Sequence, residues 1–416
     1  MSARIFFLVF CMSVCGLPAQ DLVIKGARVL TGKSWKARRA NILVKDGRIA
    51  KVGRLGKVDP TLPVIKAVGR IVMPGFIEAH TSRGMRTQNE RMSIVPFVTV
   101  LDIINPADVF FEDSLRDGHL TLQVMPGNNT VIGGMGVIVH PFGLTVKDMT
   151  VVEEAGLKIS LIPASGNRAA HLAQLRAALD RARDRLDRLE KEGRLEDESK
   201  LSGNWDVDLE ALEVERKERQ MLRLLKEEVR AWFACGTPGD VLAALRLMQD
   251  YGIKGRLLCG PGTWRAARML GKRKIPVVLS PTLEIEERDP ETGKIVRRII
   301  PKIFHDAGVE FAMTANHSSD GGLGQRYLWY QAAAMVRYGV PRETALAAVT
   351  SVPARLIGLG DRKGTIEPGK DADLLILTEP PLSGRAWVDL AIIGGRVAYN
   401  RKHDPRLAEV FGAGSR

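Results

Sequence analysis

The side chains able to hold a metal or move a proton near neutral pH are few here: seven histidines and four cysteines in 416 residues. His119, His140, His171, His305 and His403 show no ligand spacing and read as structural. His80 closes the apolar run Ile71–Ala79, and His317 follows the run Val309–Met313. Glu78 shares the strand face of His80, because alternate residues of a strand point the same way. A buried lysine needs a partner, and Lys158 in the run GLKIS would find one in Glu78, unless both are solvated rim charges. Gly133-Gly134-Met135-Gly136 leads into a strand rather than a helix, so it is a turn and not a phosphate-binding loop.

Such residues need a sizeable core to position them. Hydrophobic residues are 45% and charged residues 26% of the chain, the balance of a globular protein of two to three domains. Disorder, a collagen-like repeat and a disulfide scaffold are excluded. From Asp21 to about Val68 short strands alternate with turns, and Asp46-Gly47 marks a hairpin. Gly364–Tyr399 repeats the pattern with Gly394-Gly395 as its turn, so both ends are expected to build one small sheet domain.

Between them lie eight apolar runs: Ile71–Ala79, Leu120–Met125, Met135–Val139, Leu157–Ile162, Arg230–Ala234, Arg256–Cys259, Val277–Leu279 and Val309–Met313. Helical stretches such as Asp240–Asp250 and Gly321–Tyr338 accompany them. Eight strands separated by helices read as a parallel (β/α)8 barrel, whose chemistry sits at the strands' C-terminal ends. A doubly wound open sheet is the alternative, but its glycine fingerprint is missing. Between strands four and five, Leu172, Leu175, Leu179, Ala182, Leu186 and Leu189 recur at steps of three and four, followed by Leu222, Leu225 and Val229. These read as a helical hairpin packed on the barrel, or alternatively as an arm that pairs two copies into a homodimer.

Met1–Gln20 carries Arg4, an apolar run from Ile5 to about Val14, then Gly16, Pro18 and Ala19. That is the layout of a signal peptide, cleaved near Ala19–Asp21, which implies an exported protein, periplasmic or secreted. No other run reaches the length of a transmembrane helix. Cys11 and Cys15 would leave with the leader, and Cys235 and Cys259 would stay. Lys and Arg outnumber Asp and Glu by 61 to 48, a net charge of +13. The surplus admits a surface polymer or nucleic acid as partner, but no specific nucleic-acid signature accompanies it.

Ile71–His80, IVMPGFIEAH, is very similar to the first barrel strand of the amidohydrolase superfamily of metal-dependent hydrolases. Thr350–Leu377, TSVPARLIGLGDRKGTIEPGKDADLLIL, resembles that family's closing stretch. NPADVFF, LTLQVMPGNN, VIGGMGVIV and AGLK resemble its imidazolonepropionase-like branch. The resemblance implies an α/β fold: a distorted (β/α)8 TIM barrel over 71–357, with a charged helical insertion at about 168–230. A composite β-sandwich would come from residues 21–70 and 358–410. It also implies hydrolysis of carbon–nitrogen bonds by a divalent metal such as zinc. The ligands would be an H-x-H after strand one, a carboxylated Lys or a Glu on strand four, one His each on strands five and six, and an Asp on strand eight.

Carried onto this sequence, the resemblance leaves two of six ligand positions, His80 and Lys158. Ser82 replaces the second imidazole, Ala234 stands at strand five, Cys259 at strand six and Asn316 at strand eight. Too few donors remain to replace a dication's hydration shell, and Asn316 cannot serve as a base. The expectation is a catalytically impaired, exported amidohydrolase-fold protein, without metal or other cofactor, that binds a small-molecule or peptide-like ligand in the barrel mouth. The alternative is an active hydrolase with a mononuclear metal on His80 and His317, helped by Lys158, Cys259 or Asp320. The third reading is the basic polymer binder. Cys235 and Cys259 end neighbouring strands, which allows a disulfide, yet Cys235 follows the inward position 234 and should face away from Cys259.

Overall fold

The computed structural model describes residues 20–164, 166–191, 218–289, 291–315 and 326–411. The leader lies outside the described residues, as do 192–217 of the insertion and Asn316, His317 and Asp320.

The chain opens with β1 (Leu22–Val29), β2 (Arg38–Lys45), β3 (Arg48–Gly53), β4 (Val64–Lys66) and β5 (Ile71–Pro74). The middle supplies β6 (Phe76–Thr81), β7 (His119–Val124), β8 (Ile132–Val139), β9 (Thr150–Ser160), β10 (Ala231–Cys235), β11 (Gly255–Cys259) and β12 (Val277–Leu279). A hairpin of β13 (Glu284–Arg288) and β14 (Ile295–Ile299) follows, then β15 (Phe311–Met313). The C-terminal part returns as β16 (Leu374–Leu377), β17 (Val388–Ile393) and β18 (Arg396–Asn400).

Both ends of the chain meet in one sheet of order β18-β17-β16-β5-β1-β2-β3, with β4 also paired to β1. The expected sandwich is thus observed as a single continuous eight-stranded sheet. Its core gathers Ile24, Ile42, Val44, Ile49, Leu374, Ile376 and Ile392 from both ends. Asp46 and Gly47 lie at φ 50° and 71°, and Gly394 and Gly395 at 54° and 78°, the paired left-handed residues of a tight hairpin turn.

The eight middle strands form the second sheet, in the order β15-β12-β11-β10-β9-β8-β7-β6. Two features differ from a uniform parallel barrel. β8 runs antiparallel to both β7 and β9, because the connections at 125–131 and 140–149 are too short for a crossover to a parallel neighbour. The run Ile71–Ala79 is two strands, since β5 joins the terminal sheet and β6 the barrel, moving the crossing to Gly75. There the Gly75 N–H donates to Asp373 O at 3.1 Å and the Phe76 N–H to Gly118 O at 2.9 Å.

No ladder joins β15 to β6. Instead, Ala348 and Val349 bridge them: Met313 N donates to Ala348 O at 2.9 Å and Ile77 N to Val349 O at 3.0 Å. A buried ion cluster ties the two sheets together. The Lys363 ammonium contacts Asp373 closely, lies 3.1 Å from Asp371, and donates to His140 Nε2 at 3.3 Å. Burial and the Lys363 charge push His140 down to about 4, so its ring stays neutral.

In the insertion, the helix Arg168–Lys191 buries His171, Leu175, Ala178, Leu179 and Ala182. Leu172, Leu186 and Leu189 are only half-buried, and on the returning turn Met221 and Leu224 are buried in place of Leu222 and Leu225. The inward stripe is therefore rotated from the one its leucines suggest. Among the described residues no helix is long and apolar enough to cross a membrane.

The Gly75 joint makes a direct prediction. A Cβ there would lie 2.5–2.7 Å from the buried Leu120 side chain. Gly75→Ala should therefore cost about 1–3 kcal/mol, the usual penalty of overpacking a core. Thermal or denaturant unfolding checks it, and an unchanged midpoint would contradict the packing described.

Candidate functional site

The barrel mouth holds a cleft of about 470 Å³ at the C-terminal ends of its strands. His80, Thr81, Ser82 and Arg83 reach it from β6, Asn128 from the loop after β7, and Ser280, Pro281 and Thr282 from the end of β12. Ala234 and Leu258 form part of its floor.

At its base, Lys158 on β9 is wholly buried and its Nζ lies 2.7 Å from His80 Nε2. The same amine donates to Pro126 O at 3.2 Å. Burial lowers the Lys158 amine to about 7. His80 is pushed well below its usual value, first by burial and then by the Lys158 charge. A neutral imidazole therefore accepts from Lys158 through Nε2 and carries its own proton on Nδ1.

Glu78 does not pair with Lys158. Its Oε2 accepts from the Ala315 backbone N–H at 2.9 Å, across the β6–β15 seam. Burial raises this carboxyl well above the usual range, and its bond to the Ala315 N–H ties the two edge strands.

Among the described residues, the other expected ligand positions bring no further imidazole or carboxylate. Ser82 lines the cleft, and Ala234 is buried beside it. Strand register corrects the sixth-strand position: Ala234 is opposite Leu258, and Leu258 opposite Val278, so Leu258 shares their face. Cys259 pairs instead with Cys235 and Leu279, in the hydrophobic layer between strands and helices. The two cysteines lie side by side on one face, contrary to the alternation expected, and both are free thiols. Burial pushes Cys259 up to about 12 and raises Cys235, which its neighbour Cys259 raises further. They behave as small buried hydrophobes.

After β10 the backbone is committed to a helix start. Asp240 accepts from Gly236 N at 3.0 Å and Thr237 N at 2.8 Å, and Thr237 caps the helix Pro238–Tyr251. Among the described residues no group of three His, Cys, Asp or Glu side chains is placed to hold a metal ion. Among the described residues these positions offer one imidazole engaged by an amine, a hydroxyl and two aliphatic side chains, which is too few donors for a divalent metal.

Arg83, Asn128, Ser280 and Thr282 were not singled out from the sequence. Their signal was the polar residues that follow each strand, HTSR, PGNN and SPT. Arg83 is exposed and makes no ion pair with a described residue, which leaves a guanidinium at the rim.

A model of the amidohydrolase family matches residues 324–399. An N-acyl-D-aspartate deacylase from Alcaligenes xylosoxydans xylosoxydans is 28% identical over 192 residues, 40% of this chain and 35% of the relative. An imidazolonepropionase from Thermoplasma acidophilum is 43% identical over 65 residues, 14% of this chain and 16% of the relative. The chain thus spans about a third or less of these curated relatives. A solved amidohydrolase structure from Thermotoga maritima MSB8 is 25% identical with a TM-score of 0.78, covering 91% of this chain and 100% of that one.

The Lys158 amine yields a test of sign. Because it titrates near 7 when folded and near 10.5 when free, the unfolded chain binds the extra proton between those values. Stability should rise with pH across that interval. Lys158→Met keeps the volume and removes the titration, so the variant should match or exceed the parent at pH 7 and lose the rise by pH 9. Denaturant unfolding at both pH values measures this; an unaltered pH slope would contradict it.

Proposed function

This chain belongs to the amidohydrolase superfamily, and on that premise we propose that it is a binding member of the family whose mouth no longer supports metal-assisted hydrolysis. The observation that carries the reading is the 2.7 Å contact between Lys158 Nζ and His80 Nε2. A dication needs the lone pair that His80 gives to the amine. Ala234 and Leu258 add apolar surface where donors would be needed.

The ligand class follows from the relatives. An N-acyl amino acid or a cyclic amide would enter the cleft, with Arg83 and the strand-end hydroxyls of Ser82, Ser280 and Thr282 offering hydrogen bonds to its amide and any carboxylate. The leader reading makes the protein exported; mass spectrometry of the product should place its first residue near Ala19–Asp21, and an intact Met1 in the exported fraction would contradict that.

A second reading is a working carbon–nitrogen hydrolase with one metal on His80 and His317, favoured by the full-length likeness to a solved amidohydrolase. It requires His80 to release Lys158. Protein produced with added zinc, manganese and iron, then washed with chelator, separates the two by elemental analysis and turnover of cyclic amides and N-acyl amino acids. The proposal expects no stoichiometric metal, saturable binding and no turnover. A tightly held metal with activity lost in His80→Ala and His317→Ala establishes the second reading instead. Absence of any binding overturns the binding role.

A further inference from the structure

Away from the mouth, and sharing no residue with it, a pocket of about 350 Å³ opens between the barrel and the terminal sheet. Phe76 at the start of β6, Asp117 at the end of the helix Val109–Asp117, and the Tyr327–Trp329 pair form one side. The β16–β17 loop, with Leu382 and Trp387, and Tyr399 of β18 form the other. Its volume lies at the small end of ligand sites.

The polar groups of this wall are nearly all committed. Arg116 bonds Asp404 at 2.7 Å, Asp113 at 3.1 Å and Glu112 at 3.3 Å. The Tyr399 hydroxyl donates to Asp404 at 2.9 Å. Surrounding guanidiniums are engaged as well: Arg326 and Arg406 with Asp113, and Arg401 with Asp389. Of the two carboxyl groups on the wall, Asp117 makes no hydrogen bond or ion pair to a described residue. Burial, opposed in part by Arg326, pushes it up to about 7, as expected of an acid lacking a cation in contact.

Backbone geometry adds an independent sign. Leu382 sits at φ 74°, a left-handed conformation that costs a branched residue energy and clusters at ligand clamps. Arg326 already lies over the Tyr327 ring at 5.7 Å and Arg401 over the Trp387 ring at 5.8 Å, so this wall attracts cations, and the uncommitted Asp117 carboxyl adds charge for one more, whereas among the described residues the arginines beside it are paired with carboxylates.

We propose that this pocket is a second ligand site, taking a small organic amine whose ammonium pairs with Asp117 and whose apolar body lies among Tyr327, Trp329, Trp387 and Tyr399. The site is independent of any activity at the mouth.

Phenethylamine is a suitable probe, with 3-phenylpropionate as its anionic counterpart and tryptophan fluorescence as the readout. The amine should give a saturable change at low-millimolar concentration or below, and the acid none. Asp117→Asn should weaken the amine ~10-fold, the size expected for a lost charge-assisted bond. Trp387→Ala, at the half-exposed rim, should weaken it too, and Lys158→Met at the mouth should leave it unchanged. Should Asp117→Asn fail to fold, the Trp387→Ala result and the amine-against-acid comparison decide. No saturation, equal response to the acid, or unchanged affinity in folded Asp117→Asn or Trp387→Ala would overturn the proposal.

Discussion

A lysine amine buried against a histidine ring governs the chemistry of this barrel. Lys158 has no exposed surface, and its Nζ is satisfied by His80 Nε2 at 2.7 Å and by Pro126 O at 3.2 Å. An unpaired ammonium in such a place would be costly, so the pair settles as a weakly basic amine donating to a neutral imidazole. The same hydrogen bond takes up the lone pair with which His80 would hold a metal. In the proposed binding role, the contact that positions His80 is also the one that keeps its lone pair from a metal.

The scaffold holds that contact by fixing β6 on both sides. Toward the terminal sheet, Gly75 lets the chain pass tightly over Leu120. Toward β15, Ala348, Val349 and the buried Glu78 carboxyl bridge a seam that lacks strand pairing. Lys363, Asp371, Asp373 and His140 then lock the terminal sheet to the barrel, which restrains both ends of the chain at once. Among the described residues, packing and hydrogen bonds hold this mouth in shape.

Much of the scaffold could be read from the residues. Each of the eight apolar runs contributes a strand to the barrel sheet, and Asp46-Gly47 and Gly394-Gly395 turn as their φ values require. Strand direction was harder, because apolar runs look alike whichever way they point, and only the short connections around β8 betray it. The site was less legible. His80 and Lys158 stood out by type, but their partnership depends on a long-range contact that spacing cannot encode. Glu78 was assigned to Lys158 because parity gives a face and not a neighbour; the Ala315 N–H was closer at hand. At strand six a one-residue slip exchanged Leu258 for Cys259, which reverses the side of the sheet.

Whether His80 contacts an amine or a metal decides the chemistry of this mouth. Anomalous diffraction above the zinc edge, from crystals grown with excess zinc, addresses it atom by atom. No anomalous peak is expected within coordinating distance of His80 Nε2, and the Lys158 Nζ should still be in hydrogen-bond contact with it. A zinc ion ligated by His80, with Lys158 displaced, would contradict that.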